Sequence, residues 1–159
     1  MMDRILRFFV QILLALWLGG GIFLAAFAAP AAFRVAPTPS VAGDFVGVML
    51  VAWSLISLLV PLVLIVIEWA RNRLGSGFRI IVLAFTIGLA TAQAVVDYRV
   101  QEIRRSSPVA IENLGPKDPV RENFGRMHGV AMLLMLLQLL AAAGVATSLS
   151  EFRWRETRG

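Results

Sequence analysis

Cysteine is absent from the 159 residues, and histidine occurs once. The first absence excludes disulfides, thiolate metal sites and a cysteine nucleophile. The second excludes a bis-histidine haem held within one chain. The apolar stretches carry no paired catalytic carboxylates and no Ser/His/Asp spacing, and no glycine-rich phosphate loop follows a strand. Gly19-Gly20-Gly21 falls inside an apolar block instead of ahead of a helix. The chain is therefore read as non-enzymatic. Charged residues are few, at 16%.

Apolar residues are present in excess. They make up 58% of the chain, against about 45–50% in a soluble domain, and the mean hydropathy is +0.78. The excess is concentrated in four blocks, residues 5–29, 45–67, 78–96 and 127–149. Each approaches the roughly 20 residues that a helix needs to cross about 30 Å of hydrocarbon. The expected fold is an all-α, integral membrane four-helix bundle, one membrane domain over 1–159. Its helices are expected at about 5–29, 45–69, 78–99 and 119–149, with an extramembrane loop at about 100–118. The first block follows Arg4 and Arg7 and is longer than a secretory signal core, so it is read as a retained helix.

The net charge is +5, but the arginines sit mostly just outside the apolar blocks. That position suits lipid headgroups. No basic, aromatic-laced module remains for nucleic acid. The expected partner is the lipid bilayer, together with a second copy or another membrane protein. The expected location is the bacterial inner membrane. Basic residues on the two sides nearly balance, and Arg4 and Arg7 favour cytoplasmic termini.

Small residues mark candidate packing seams. Gly21, Ala25 and Ala29 repeat at four-residue spacing beside Gly20, as do Ala84, Gly88 and Ala92. In lipid, such residues let helix backbones approach. Pro30 is expected to end the first helix, and Thr38-Pro39 and Asp118-Pro119 read as a cap followed by a first-turn proline. Pro61 should bend the second helix, and Trp53 and Trp69 are expected at its interfacial ends.

Four crossings bring one polar group of residues to the face opposite the termini: Arg34, Asp44, Gln93, Asp97, Arg99, Arg126 and His128. An Asp within a span is costly, which makes Asp97 the most informative member. Arg126 or His128 is its expected partner, with Arg34 at the same level. His128, Met132 and Met135 share a helix face, and imidazole with thioethers suits copper(I) or an axial haem position.

The segments Trp17-Leu-Gly-Gly-Gly21-Ile-Phe23, Ala29-Pro30-Ala-Ala-Phe33-Arg34 and Ala42-Gly43 resemble the first half of the domain of unknown function 4149 proteins, also called the transmembrane protein 205-like family. Phe124-Gly-Arg126-Met-His128-Gly resembles the start of that family's last helix. The resemblance implies a small four-helix membrane protein without established catalytic activity. It carries over to Trp17, Gly20, Pro30, Phe33, Arg126 and His128. The leading functional expectation is a non-enzymatic membrane protein in transport or membrane stress. A second is a metal- or haem-handling protein using His128 with Met132 or Met135. A third is an interaction subunit of a membrane complex.

Overall fold

The apolar blocks become long helices in the computed structural model, which describes residues 2–70 and 77–156. In order they are α1 (Met2–Phe23), a π-helical turn (Leu24–Ala28), α2 (Ala29–Val35), α3 (Pro39–Ala70) and α4 (Gly77–Ser106). A short 3₁₀ turn (Ile111–Asn113) and α5 (Pro119–Glu156) complete the chain. Four segments are long and apolar enough to cross a membrane: Arg4–Val35, Pro39–Ala70, Ile80–Ser106 and Pro119–Thr147. The protein is an all-α, multi-pass integral membrane protein.

The helices pack as a ring, α1 against α3, α3 against α4, α4 against α5, and α5 back against α1. The core contains Leu14, Trp17, Val60, Leu64, Leu83, Ala142 and Val145. Outward lie Phe8, Phe23, Phe27, Phe45, Leu55, Phe85 and Leu133, all exposed. An apolar exterior of this extent belongs in lipid. The 71–76 connection lies outside the described residues.

The helices run past the apolar blocks. The third span has 27 residues, about 40 Å of helix, against about 30 Å of hydrocarbon. The helix therefore continues to Ser106 instead of stopping near residue 99, because its backbone bonds persist into the headgroup layer. Both predicted proline starts are present. Thr38 Oγ1 accepts from the Val41 amide at 3.3 Å, and Asp118 Oδ1 accepts from the Val120 amide at 2.8 Å. The second helix thus begins at Pro39, well before residue 45.

Three expectations are corrected. Pro30 does not end the first span, which continues as helix to Val35. The π turn ahead of it redirects the backbone, and the Ala29 amide bonds to the Leu24 carbonyl. A wider turn makes room for a ring that lacks an N–H. The same turn shifts the face, so Ala25 is exposed while Leu24 and Ala32 are buried. Trp53 is not interfacial. It is 3% exposed, and its indole donates to the Trp17 carbonyl at 3.2 Å. Glycine makes this possible: a Cβ on Gly21 would lie 2.8 Å from the Trp53 ring and 2.6 Å from Leu139. Gly20 faces the same ring at 3.7 Å.

The third correction concerns α4. Ala84, Gly88 and Ala92 face outward, and a Cβ on Gly88 would meet nothing within 4 Å. The inward stripe is Leu83, Thr86, Ala90 and Gln93. The stripe carries Thr86 and Gln93, whose side-chain bonds stay within α4, to the Val82 carbonyl and to Asp97. Burial keeps the Gln93 carboxamide, bonded to Asp97 of the same helix, out of the hydrocarbon. Close packing of a small-residue seam recovers only van der Waals contact.

Candidate functional site

The loop face is organised around Arg104, near the end of α4. Its Nη2 donates to the Ser40 carbonyl at 2.7 Å and pairs with Asp44 Oδ1 at 3.1 Å. Gly43 leaves the space for the guanidinium, since a Cβ there would lie 2.8 Å from Nη1. Gly47 does the same for Gln101, whose Nε2 would be 2.6 Å from a Cβ. Glu112 of the 3₁₀ turn closes the group. It accepts from the Ser40 hydroxyl at 2.8 Å and from the Ser40 amide at 3.2 Å. Its own backbone amide and then the Ser40 hydroxyl hold its carboxyl below the usual carboxylate value, and the Arg104 charge adds to this. The connection between α4 and α5 is thereby tied over the start of α3.

Sequence reasoning singled out Asp44 but missed Arg104, Ser40 and Glu112. A signal was present in Gly43 and Gly47, which share a face at the start of α3. Small residues there leave room for long side chains from a neighbour.

Deeper in the bundle lies the pair Gln93–Asp97. Gln93 Nε2 donates to Asp97 Oδ1 at 3.0 Å, one helical turn apart. Gln93 is 1% exposed. Its Oε1, and Oδ2 of Asp97, are buried without a hydrogen-bond partner among the described residues. The structure brings these two residues together inside the third span, about three turns before its end.

No hydrogen bond or ion pair among the described residues joins the remaining members of the predicted cluster to this pair. Arg126 bonds to Glu122 on its own helix, and both are exposed. The expected Asp97–Arg126 ion pair is thus replaced, because Glu122 lies one turn away in α5. His128 stacks on Phe124, with ring centroids 6.0 Å apart and planes 4° from parallel. It is exposed and makes no ion pair with Asp97. Arg34 is exposed in the last turn of α2, where a cation complements the helix dipole. Arg99 pairs with Glu102 at 3.1 Å on the outer face of α4.

Along α5, His128 and Met132 are exposed and Met135 is half-buried. Among the described residues, no group of three or more His, Cys, Asp or Glu side chains comes together.

Residues 12–107 match the family model described as a domain of unknown function (DUF4149), which is more than half of the chain. Trp17, Gly20, Pro30 and Phe33 fall within the match, as do Asp44, Gln93, Asp97 and Arg104, whereas Arg126 and His128 lie beyond it. No match is found among curated proteins or among solved structures. The first three spans, with the Gly-rich slot that receives Trp53, therefore carry the relationship, and the chain belongs to the domain of unknown function 4149 family.

Proposed function

We propose that this is a non-enzymatic membrane transport protein in which Asp97, held by Gln93, takes up a proton from the loop face. One observation carries the reading. A carboxylate inside a span has one oxygen fixed by a neighbour and the other buried without a partner among the described residues. Ionisable groups in spans are costly and commonly mark proton or ion paths. The fixed oxygen orients the group, and the free oxygen is where a proton would bind. With Arg4 and Arg7 ahead of the first span, the proposed setting is a bacterial inner membrane with cytoplasmic termini. Asp97 would then face the outer side.

The test is proton flux into liposomes holding the purified protein and an internal pH dye, driven by a potassium diffusion potential. The expected result is faster acidification than in empty liposomes, lost in Asp97→Asn and reduced in Gln93→Leu. Equal rates for the wild type and Asp97→Asn, or no flux above empty liposomes, would remove the reading.

A further inference from the structure

The outer face of α4 changes character along its last turns. Thr91, Ala94, Val95, Tyr98, Arg99 and Glu102 are all exposed, and together they line one open hollow of about 590 Å³. Their spacing of three or four residues puts them on one stripe of the helix. Asp97 stands two residues before Arg99, about 200° around the helix and so on the other side.

The stripe runs for about 16 Å. It begins in the apolar block, which ends near residue 96, and enters the charged end of the third span. Its deeper half is apolar. The Thr91 hydroxyl donates to the Ile87 carbonyl at 2.9 Å and is engaged within its own helix. Tyr98, 68% exposed, stands at the boundary, where an amphipathic ring is favoured. The shallower half carries opposite charges. Arg99 Nη1 donates to Glu102 Oε2 at 3.1 Å, and both side chains are at least half exposed. An ion pair this open contributes little to stability. The bond uses one N–H of a guanidinium that has five.

A ligand that fills the hollow must match three features in order along the helix. It needs an apolar tail against Ala94 and Val95, an anion beside Arg99, and a cation with N–H donors beside Glu102. Any phospholipid supplies the first two, and the headgroup decides the third. A glycerol headgroup leaves Glu102 beside a like charge. Choline brings a positive charge, but its quaternary nitrogen has no N–H. Ethanolamine carries a primary ammonium, with three donors like that of lysine, a short link away from the phosphate.

We propose that this face of α4 binds phosphatidylethanolamine, with the phosphate on Arg99, the ammonium on Glu102 and an acyl chain along Val95, Ala94 and Thr91. The site lies across the helix from Asp97 and stands whether or not protons move through the protein.

The experiment is native mass spectrometry of the full chain taken from liposomes of equimolar phosphatidylethanolamine, phosphatidylcholine and phosphatidylglycerol with identical acyl chains. The wild type should retain phosphatidylethanolamine over each of the others by about 2–5-fold, the range for one exposed charge pair. Glu102→Gln should lose that preference and shift toward phosphatidylglycerol, because Arg99 then has no acidic neighbour in the hollow. Arg99→Gln should lose it without a gain for phosphatidylglycerol. Glu122→Gln makes the same change in an exposed pair on α5 and should keep the wild-type preference. Equal retention of the three lipids by the wild type would mean an ordinary lipid annulus and would overturn the proposal, whatever the variants do. A preference kept in Glu102→Gln, or lost equally in Glu122→Gln, would also overturn it. So would a wild-type dimer that shows no lipid preference and dissociates in Arg99→Gln, which would assign the face to a second copy.

Discussion

Gly21 and Gly88 both sit inside apolar helices, yet their surroundings are opposite. A methyl at Gly21 would press on the rigid Trp53 ring and on Leu139, whereas at Gly88 it would meet open space. Gly21→Ala should therefore lower stability by about 1–3 kcal/mol through overpacking. Gly88→Ala should be neutral or stabilising by up to about 1 kcal/mol, since alanine favours helix. Thermal unfolding in mild detergent compares the two, and equal loss in both variants would show that the Gly21 contact does not matter. Arg104 makes a similar contrast with Asp44. The Arg104 side chain is 14% exposed and that of Asp44 71%. Arg104→Met removes a half-buried charge-assisted bond to the Ser40 carbonyl and should cost about 1.5–3 kcal/mol. Asp44→Asn disturbs only an exposed pair and should cost under about 1 kcal/mol. The same unfolding assay reads both, and a larger loss for Asp44→Asn would contradict the arrangement.

At the scale of elements, α4 is turned so that its polar stripe lies inside the bundle. Thr86 and Gln93 point inward and the small residues face lipid. The loop between α4 and α5 is fixed by Glu112, whose carboxyl is held below its usual value of 4.5. A carboxyl lowered by folding contributes stability above its unfolded value, and that contribution is lost as pH falls through the folded value. The tie between Glu112 and Ser40 should therefore hold at neutral pH and loosen once pH drops below about 4.5. Hydrogen exchange at the Ser40 amide, corrected for the intrinsic pH dependence, is the measurement. Protection should fall in acid in the wild type. It should be weaker and independent of acid in Glu112→Gln. Acid loss of the same size in both would show that another group controls the loop.

For the whole molecule, an even number of spans puts both tails on one side. Reporters fused after Pro37 and Pro116 should report one compartment, and a reporter after Gly159 the other. A reporter after Gly159 that agrees with the loop reporters would contradict four crossings. The ring of helices has an apolar surface outside and an apolar core that also holds Ser57, Thr86, Gln93 and Gln138. Solvent accounts for both. Lipid offers no hydrogen bonds, so polar side chains turn to one another, to backbone carbonyls or to the bundle interior.

The sequence by itself determined the fold class, the number of spans and two helix starts, Thr38-Pro39 and Asp118-Pro119. Each depends on local chemistry: apolar length against bilayer thickness, and a capping oxygen ahead of a proline. It also pointed to Asp97, because a carboxylate within a span stands out in composition alone. The tertiary structure decided what each of these residues touches. Glu122, one turn away, takes Arg126, and Gln93 takes Asp97. The choice between the faces Ala84/Gly88/Ala92 and Leu83/Thr86/Ala90/Gln93 depends on packing against α3 and α5, since Thr86 and Gln93 bond within α4 itself. Arg104 looked like one more headgroup arginine until Gly43 and the Ser40 carbonyl were placed beside it. Spacing along one helix specifies a face, but which face is buried is an energy difference that depends on the other three.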